Sequence, residues 1–345
     1  MRRFLAVVAV WVIVLAAGAL VAQQAAAPQR GQGGAAPAVA GPIPWAYGFP
    51  VPGAPAPAPA PPGAQDDGSK KSLPGSAGAF TLTEIRNGFG PADWYPEDHP
   101  VMPEIVAKGR AKDVRACSLC HLPNGKGRAE NAGVNDLPVP YFVQQMNDFR
   151  NGVRKSAESR KANTGAMIAI AKAMTDDEIK AAAEYFAKVK MTPWIKVTES
   201  ATVPKTRIAG GLFLKLEGNE TEPLGQRVIE VPENTERTEM FRDPRSGFVA
   251  YAPVGSIKKG EALVMNGGAG KTTACGICHG ADLKGLGPVP GLAGRSPSYL
   301  VRQMWDMKVG ARAGVWTDLM KPVVAKLTED DLVNIVAYTA SRPLN

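Results

Sequence analysis

Cys117-Ser118-Leu119-Cys120-His121 and Cys275-Gly276-Ile277-Cys278-His279 use all four cysteines and two of the three histidines of this 345-residue chain. Two thiols three positions apart, followed at once by an imidazole, suit covalent haem c: each thiol forms a thioether to a vinyl group and the histidine meets the iron. Cys-x-x-Cys alone also serves zinc sites and thioredoxin-like redox pairs. Neither use explains a histidine directly after the second cysteine in both copies. A disulfide within each pair is the main remaining alternative. The motifs thus point to two covalently bound haem c groups, held by Cys117, Cys120, Cys275 and Cys278, with His121 and His279 on the irons.

The chain around the motifs repeats. An offset of 158 residues aligns the two pentapeptides and pairs Lys126 with Lys284, Tyr141 with Tyr299, Gln145 with Gln303, Met146 with Met304, Gly152 with Gly310 and Arg154 with Arg312. Further on the offset falls to 153, pairing Met167 with Met320, Thr175 with Thr328 and Tyr185 with Tyr338, so the second copy is shorter between its middle and last helices. Self-similarity of this kind marks a duplicated structural unit.

The repeat narrows the choice of sixth iron ligand. Only His99 remains among the histidines, and it reads as an arm residue. Methionine is the natural replacement, since a neutral, soft thioether raises the potential of a His-ligated haem. If both copies use the same position, Met174 is excluded because its partner is Leu327. Met146/Met304 and Met167/Met320 remain. The first pair lies inside an apolar helical pattern, where methionine fills core space. The second sits just before the final helix, where the chain can fold back over the haem, and is favoured.

At these residues CGICHGADLKGLGPVPGLAGRSPSYLVRQM, followed by LMKPVVAKLTEDDLVNIVAYTA, resembles a class I cytochrome c domain of the cytochrome c4/c553 type, and the first copy resembles a divergent twin. The resemblance covers roughly residues 95–190 and 255–345. It implies a small all-helical fold around each haem, with His121 and His279 as proximal and Met167 and Met320 as distal ligands. In that family a proline carbonyl orients the proximal imidazole. Pro290-Gly291-Leu292-Ala293-Gly294 fits, whereas the first copy has Ala132-Gly133-Val134-Asn135-Asp136 and lacks the proline.

Outside the repeats, residues 1–22 carry Arg2, Arg3 and an apolar run, a signal peptide or an uncleaved membrane anchor, with Ala25-Ala26-Ala27 suited to cleavage. Residues 23–78 are rich in Pro, Ala and Gly, with eleven prolines between Pro28 and Pro62, and read as a disordered tether. Residues 79–190 then form cytochrome c domain 1, 191–254 an insert of short β-type runs expected to pair antiparallel, and 255–345 cytochrome c domain 2. The fold class is mainly α. Gly267-Gly268-Ala269-Gly270-Lys271-Thr272 is no P-loop, because Met265 stands where its first glycine belongs. It reads instead as a flexible approach to the second haem site.

The formal charge is +8, with lysines and arginines scattered and no basic stripe interleaved with aromatics, so nucleic acid is not a partner. The expected function is single-electron transfer between redox proteins, at least one of them membrane-bound, in the bacterial periplasm. The alternatives are a two-haem peroxidase-like enzyme, which needs an open distal site, and a cytochrome subunit of a membrane dehydrogenase or oxidase. No catalytic residue is expected.

Overall fold

Thr175 and Thr328 start the closing helix of each repeat in the same way. Each hydroxyl accepts from the backbone N–H three residues on, and the carboxylate at that position, Glu178 or Asp331, accepts from the threonine N–H. These capping boxes satisfy two amide donors left without helical partners, and they launch helices Asp176–Lys188 and Glu329–Ala340. The computed structural model describes residues 43–50 and 65–344. The expected signal or anchor segment and most of the expected tether lie outside the described residues.

The first repeat supplies helices Cys117–His121, Val139–Arg150, Ala162–Ala173 and Asp176–Lys188. The second matches them with Gly276–His279, Pro297–Lys308, Thr317–Val324 and Glu329–Ala340. Their leading helices differ. Ser256–Gly270 packs along Glu329–Ala340 so closely that a Cβ on Gly260 would lie 1.9 Å from the Asn334 carbonyl oxygen. In the first repeat the corresponding helix is only Glu104–Ala107, followed by Gly109 at φ +69°. A Cβ there would meet the Val114 carbonyl oxygen at 2.2 Å, so the chain turns where the second copy continues. The Gly267-to-Lys271 stretch, expected to be a flexible approach, is a fixed turn: Thr272 N–H donates to Gly267 O, and Cys275 N–H to Val264 O.

The insert carries strands at Ile195–Glu199, Thr202–Pro204, Thr206–Ala209, Leu212–Lys215, Thr221–Pro223, Ile229–Pro232 and Phe248–Ala252. The expected all-antiparallel pairing is corrected at one ladder. Ile195–Glu199 runs parallel to Phe248–Ala252, which pairs antiparallel with Ile229–Pro232 on its other edge. The chain between the parallel strands acts as the long crossover that such pairing requires. Glu230, fully buried, accepts from the Ser296 hydroxyl and the Ser298 N–H, fastening the insert to the start of Pro297–Lys308. The repeats are mainly α, with one two-stranded ladder, Gly285–Leu286 with Val289–Pro290, in the second, and the insert carries most of the β structure.

The two repeats meet in a near-symmetric seam. Lys155 N–H donates to Ala311 O and Ala313 N–H to Val153 O, with Arg154 opposite Arg312. Each buried guanidinium reaches across: Arg154 donates to Gln303 at 2.9 Å and Tyr299 at 3.2 Å, Arg312 to Gln145 at 2.7 Å and Tyr141 at 2.9 Å. Every polar residue in this exchange is one of the pairs retained in the duplication.

Reading 23–78 as disordered tether is corrected for two stretches. Lys71–Ser72 pairs with Ala79–Phe80, and Ile43–Pro50 docks at the seam with Trp45, Ala46 and Tyr47 buried. Pro44 opens a 3₁₀ turn, and Gly48 at φ +75° closes it. The Tyr47 hydroxyl donates to Asp306 at 2.7 Å, and Arg302 donates to the Ala46 carbonyl at 2.8 Å. Proline-rich composition hid a short aromatic anchor whose apolar area outweighs the entropy of ordering a few residues. His99 is not a surface residue: its Nε2 lies 3.2 Å from Asp93, its Nδ1 2.9 Å from Pro100 O, and its ring stands edge-on to Tyr185.

Two outcomes follow from this packing. Trp45→Ala should cost about 3 kcal/mol, as expected for deleting a buried indole, measured by chemical denaturation; an unchanged midpoint would mean that the Ile43–Pro50 segment contributes nothing to the fold. Although burial lowers the His99 pKa, the hydrogen bond and charge of Asp93 outweigh it and raise the value. A raised native pKa gives stability that is present below the unfolded value of about 6.5 and lost as pH climbs through the native one. His99→Gln should therefore flatten that part of the stability profile, and a profile parallel to wild type would refute the assignment.

Candidate functional site

Each Cys-x-x-Cys-His motif is held from behind by the leading segment of its repeat. Ser118 Oγ donates to Val106 O at 2.8 Å, and the Cys275 N–H donates to Val264 O. In both copies the imidazole is fixed by a main-chain carbonyl: His121 Nδ1 lies 2.9 Å from Ala132 O and His279 Nδ1 2.7 Å from Pro290 O. A carbonyl only accepts, so Nδ1 carries the proton and Nε2 keeps its lone pair. Burial pushes both imidazoles below their ordinary pKa, keeping the rings neutral. The missing proline in the first copy therefore removes no hydrogen bond, because the contact uses the backbone of Ala132.

None of the four cysteines is bonded to another. Burial pushes Cys117 up to about 12 and Cys275 to about 11, so the unmodified groups are thiols rather than thiolates.

In the first repeat a cavity of about 510 Å³ opens in front of His121. Cys117, Cys120, Met146, Met167, Met174, Phe142 and Phe186 line it together with Arg154, Lys161, Tyr299 and Arg302. Two thiols, a neutral imidazole, thioethers and apolar walls, joined by cationic and hydroxyl groups able to meet carboxylates, fit a haem. Met167 lies within helix Ala162–Ala173 rather than just before the closing helix, and Met320 likewise lies within Thr317–Val324. Met146 is buried in Val139–Arg150 as the apolar pattern predicted, with Met304 its counterpart. Met174 caps its helix, and its carbonyl accepts from Arg150. In the second repeat Cys275, Met304 and Met320 pack, partly buried, against the main core.

Several lining residues escaped the sequence reading. Tyr47 comes from the supposed tether, and its carbonyl lies 3.4 Å from Lys161 Nζ. Burial, with the neighbouring Arg302 charge, brings Lys161 down to about 7. Tyr299, Arg302 and Gln303 come from the second repeat and reach the cavity of the first. For Tyr299 and Gln303 the signal was their retention as Tyr141 and Gln145 in the first copy, visible as a repeat but without a place in space; Arg302, which aligns with Gln144, gave no such signal.

No family model matches the chain. It is 39% identical over 79 residues to a cytochrome c4 of Pseudomonas aeruginosa, covering 23% of this chain and 38% of that protein. Over 76 residues it is 37% identical to cytochrome c-554(548) of Halomonas halodenitrificans, covering 22% of this chain and 92% of the relative. A longer match, 24% identical over 238 residues and covering 68% of this chain and 81% of the relative, is to a thiosulfate dehydrogenase electron acceptor of Thiomonas intermedia. The chain thus spans well under two thirds of the cytochrome c4 and most of the other two. With both motifs folded alike and nearly the whole of a relative covered at this identity, the chain belongs to the two-haem class I c-type cytochromes, which bind both haems covalently.

Proposed function

We propose that the chain passes single electrons between extracytoplasmic redox proteins and has no catalytic site of its own. The observation that carries this reading is the matched pair of buried imidazoles, each with Nδ1 tied to a main-chain carbonyl and Nε2 left to bind iron. Cys117 and Cys120 attach the first haem and Cys275 and Cys278 the second, with His121 and Met167, and His279 and Met320, as the axial pairs. An iron held between imidazole and thioether supplies a one-electron couple. The protein's part is to hold its ligands in place, exclude water with Phe142 and Phe186, and present Arg154 and Lys161 to carboxylates. Met167 is favoured over Met146 because Met146 is buried in the core whereas Met167 is partly buried on the helix next to the closing one, and Met320 follows as its counterpart.

Residues 79–190 and 255–345 serve as the two cytochrome domains, with 191–254 as the insert. The long match to a thiosulfate dehydrogenase electron acceptor supports a role beside a sulfur-oxidising dehydrogenase, with electrons passed onward to a second carrier or a membrane complex. The region 1–22 would direct export or tether the protein. The peroxidase-like alternative is not favoured, since the relatives the chain matches are named as cytochromes and as an electron acceptor.

Replacing Met167 with alanine should abolish the methionine–iron charge-transfer band of one haem, leave the other intact, and lower the potential of the altered haem alone. Loss of neither band, or of both, would reject Met167 as an axial ligand. Denatured protein should retain two haems, and replacing both Cys117 and Cys120 with alanine should remove covalent attachment only at the first site.

A further inference from the structure

The duplication allows each haem edge to be compared with its twin, and the two differ sharply. Leu119, between the cysteines of the first motif, is 7% exposed, whereas its counterpart Ile277 is 68% exposed. Cys120 is half-buried and Cys278 exposed. Leu286, eight residues past Cys278, is 59% exposed.

The cover over the first motif comes from the insert. Helix Thr235–Glu239 and the residues up to 246 lie across it: Arg242 donates to Leu119 O at 2.6 Å, Asn124 to Pro244 O at 2.7 Å, and Arg128 to Thr238 O at 3.1 Å. Arg242 also lines the cavity that holds Cys120. Its φ of +50° lies in the left-handed region, which arginine occupies only when its surroundings hold it there.

Those surroundings are the arm before the first repeat. Trp94 Nε1 donates to Phe241 O at 2.8 Å, and Met240 and Phe241 pack against Leu73, Leu82, Ile85 and Tyr95. Arg245 grips both oxygens of Asp98, at 2.6 and 2.7 Å, and stacks 3.6 Å above the Tyr95 ring. Arm and insert clamp each other, so the cover is a built structure rather than a loop resting on the surface.

We propose that residues 235–246 are a fixed shutter over the thioether edge of the first haem, so that external redox proteins exchange electrons only at the second haem, at the rim marked by Ile277, Cys278 and Leu286. This deepens the proposed carrier function and rests on the motif cysteines being the attachment points. An electron arriving at the second iron reduces it from ferric to ferrous, then crosses the Arg154/Arg312 seam to reduce the first iron and return the second to ferric. Oxidation runs the same route backwards, and no other bond changes.

Haem staining of denatured protein carrying both Cys275→Ala and Cys278→Ala first checks the attachment reading: two covalent haems there would overturn that reading, whatever the shutter does. In the ferric wild-type protein, a neutral gadolinium chelate should broaden the haem-methyl proton signals of the second haem and spare the first, the two sets being assigned by their absence when both cysteines of the second motif or both of the first are replaced with alanine. Equal broadening of both sets would overturn the shutter. Ile277→Glu combined with Leu286→Glu alters only exposed positions. Oxidation of the fully reduced double variant by ferricyanide, one electron to each ferricyanide ion, should slow about tenfold for both haems together through charge repulsion at the shared port. If one haem still reacts at the wild-type rate while the other slows, the single-port proposal fails.

Discussion

Two buried guanidiniums set side by side impose the central constraint on this molecule. Arg154 and Arg312 face one another across the seam, and neither has a carboxylate within bonding distance among its described partners. Like charges in a low-dielectric setting repel, so each must be met by oriented amide and hydroxyl oxygens. Gln145 and Gln303 accept from both arginines, and the two tyrosines complete the set. Each repeat therefore supplies half of what the other's arginine needs, and neither half is satisfied alone.

That dependence explains which features were legible in the sequence. The Cys-x-x-Cys-His motifs state their chemistry through local spacing, and Thr175 and Thr328 start helices through contacts three residues long. The Tyr, Gln and Arg pairs were visible as repeats, but their meeting across the seam involves separations of well over a hundred residues and leaves no local trace. The Ala132 carbonyl was illegible for a different reason. A hydrogen bond made by backbone carries no side-chain signature, so comparing Ala132 with Pro290 exaggerated a difference that the fold erases.

The insert shows how a tertiary setting overrides local pattern. Its strands were readable from β-branched and aromatic runs, yet the direction of pairing between Ile195–Glu199 and Phe248–Ala252 depended on the path between them. Once formed, that small sheet joins the core of the second repeat through Glu230, while the helix beyond it lies on the first. A duplication that began with equivalent halves thus acquired inequivalent surroundings through sequence present only once.

The Ile43–Pro50 segment has a consequence for the order of assembly. Its aromatic anchor binds Arg302 and Asp306, which lie more than 250 residues later in the chain. A chain emerging from its N-terminus exposes Trp45 and Tyr47 long before their receptor exists, and contacts of such separation close late. Until then the seam lacks its strap and the cavity in front of His121 lacks one wall. The pocket in front of His121 is therefore completed only after the second repeat has folded and received the segment made some 250 residues before it.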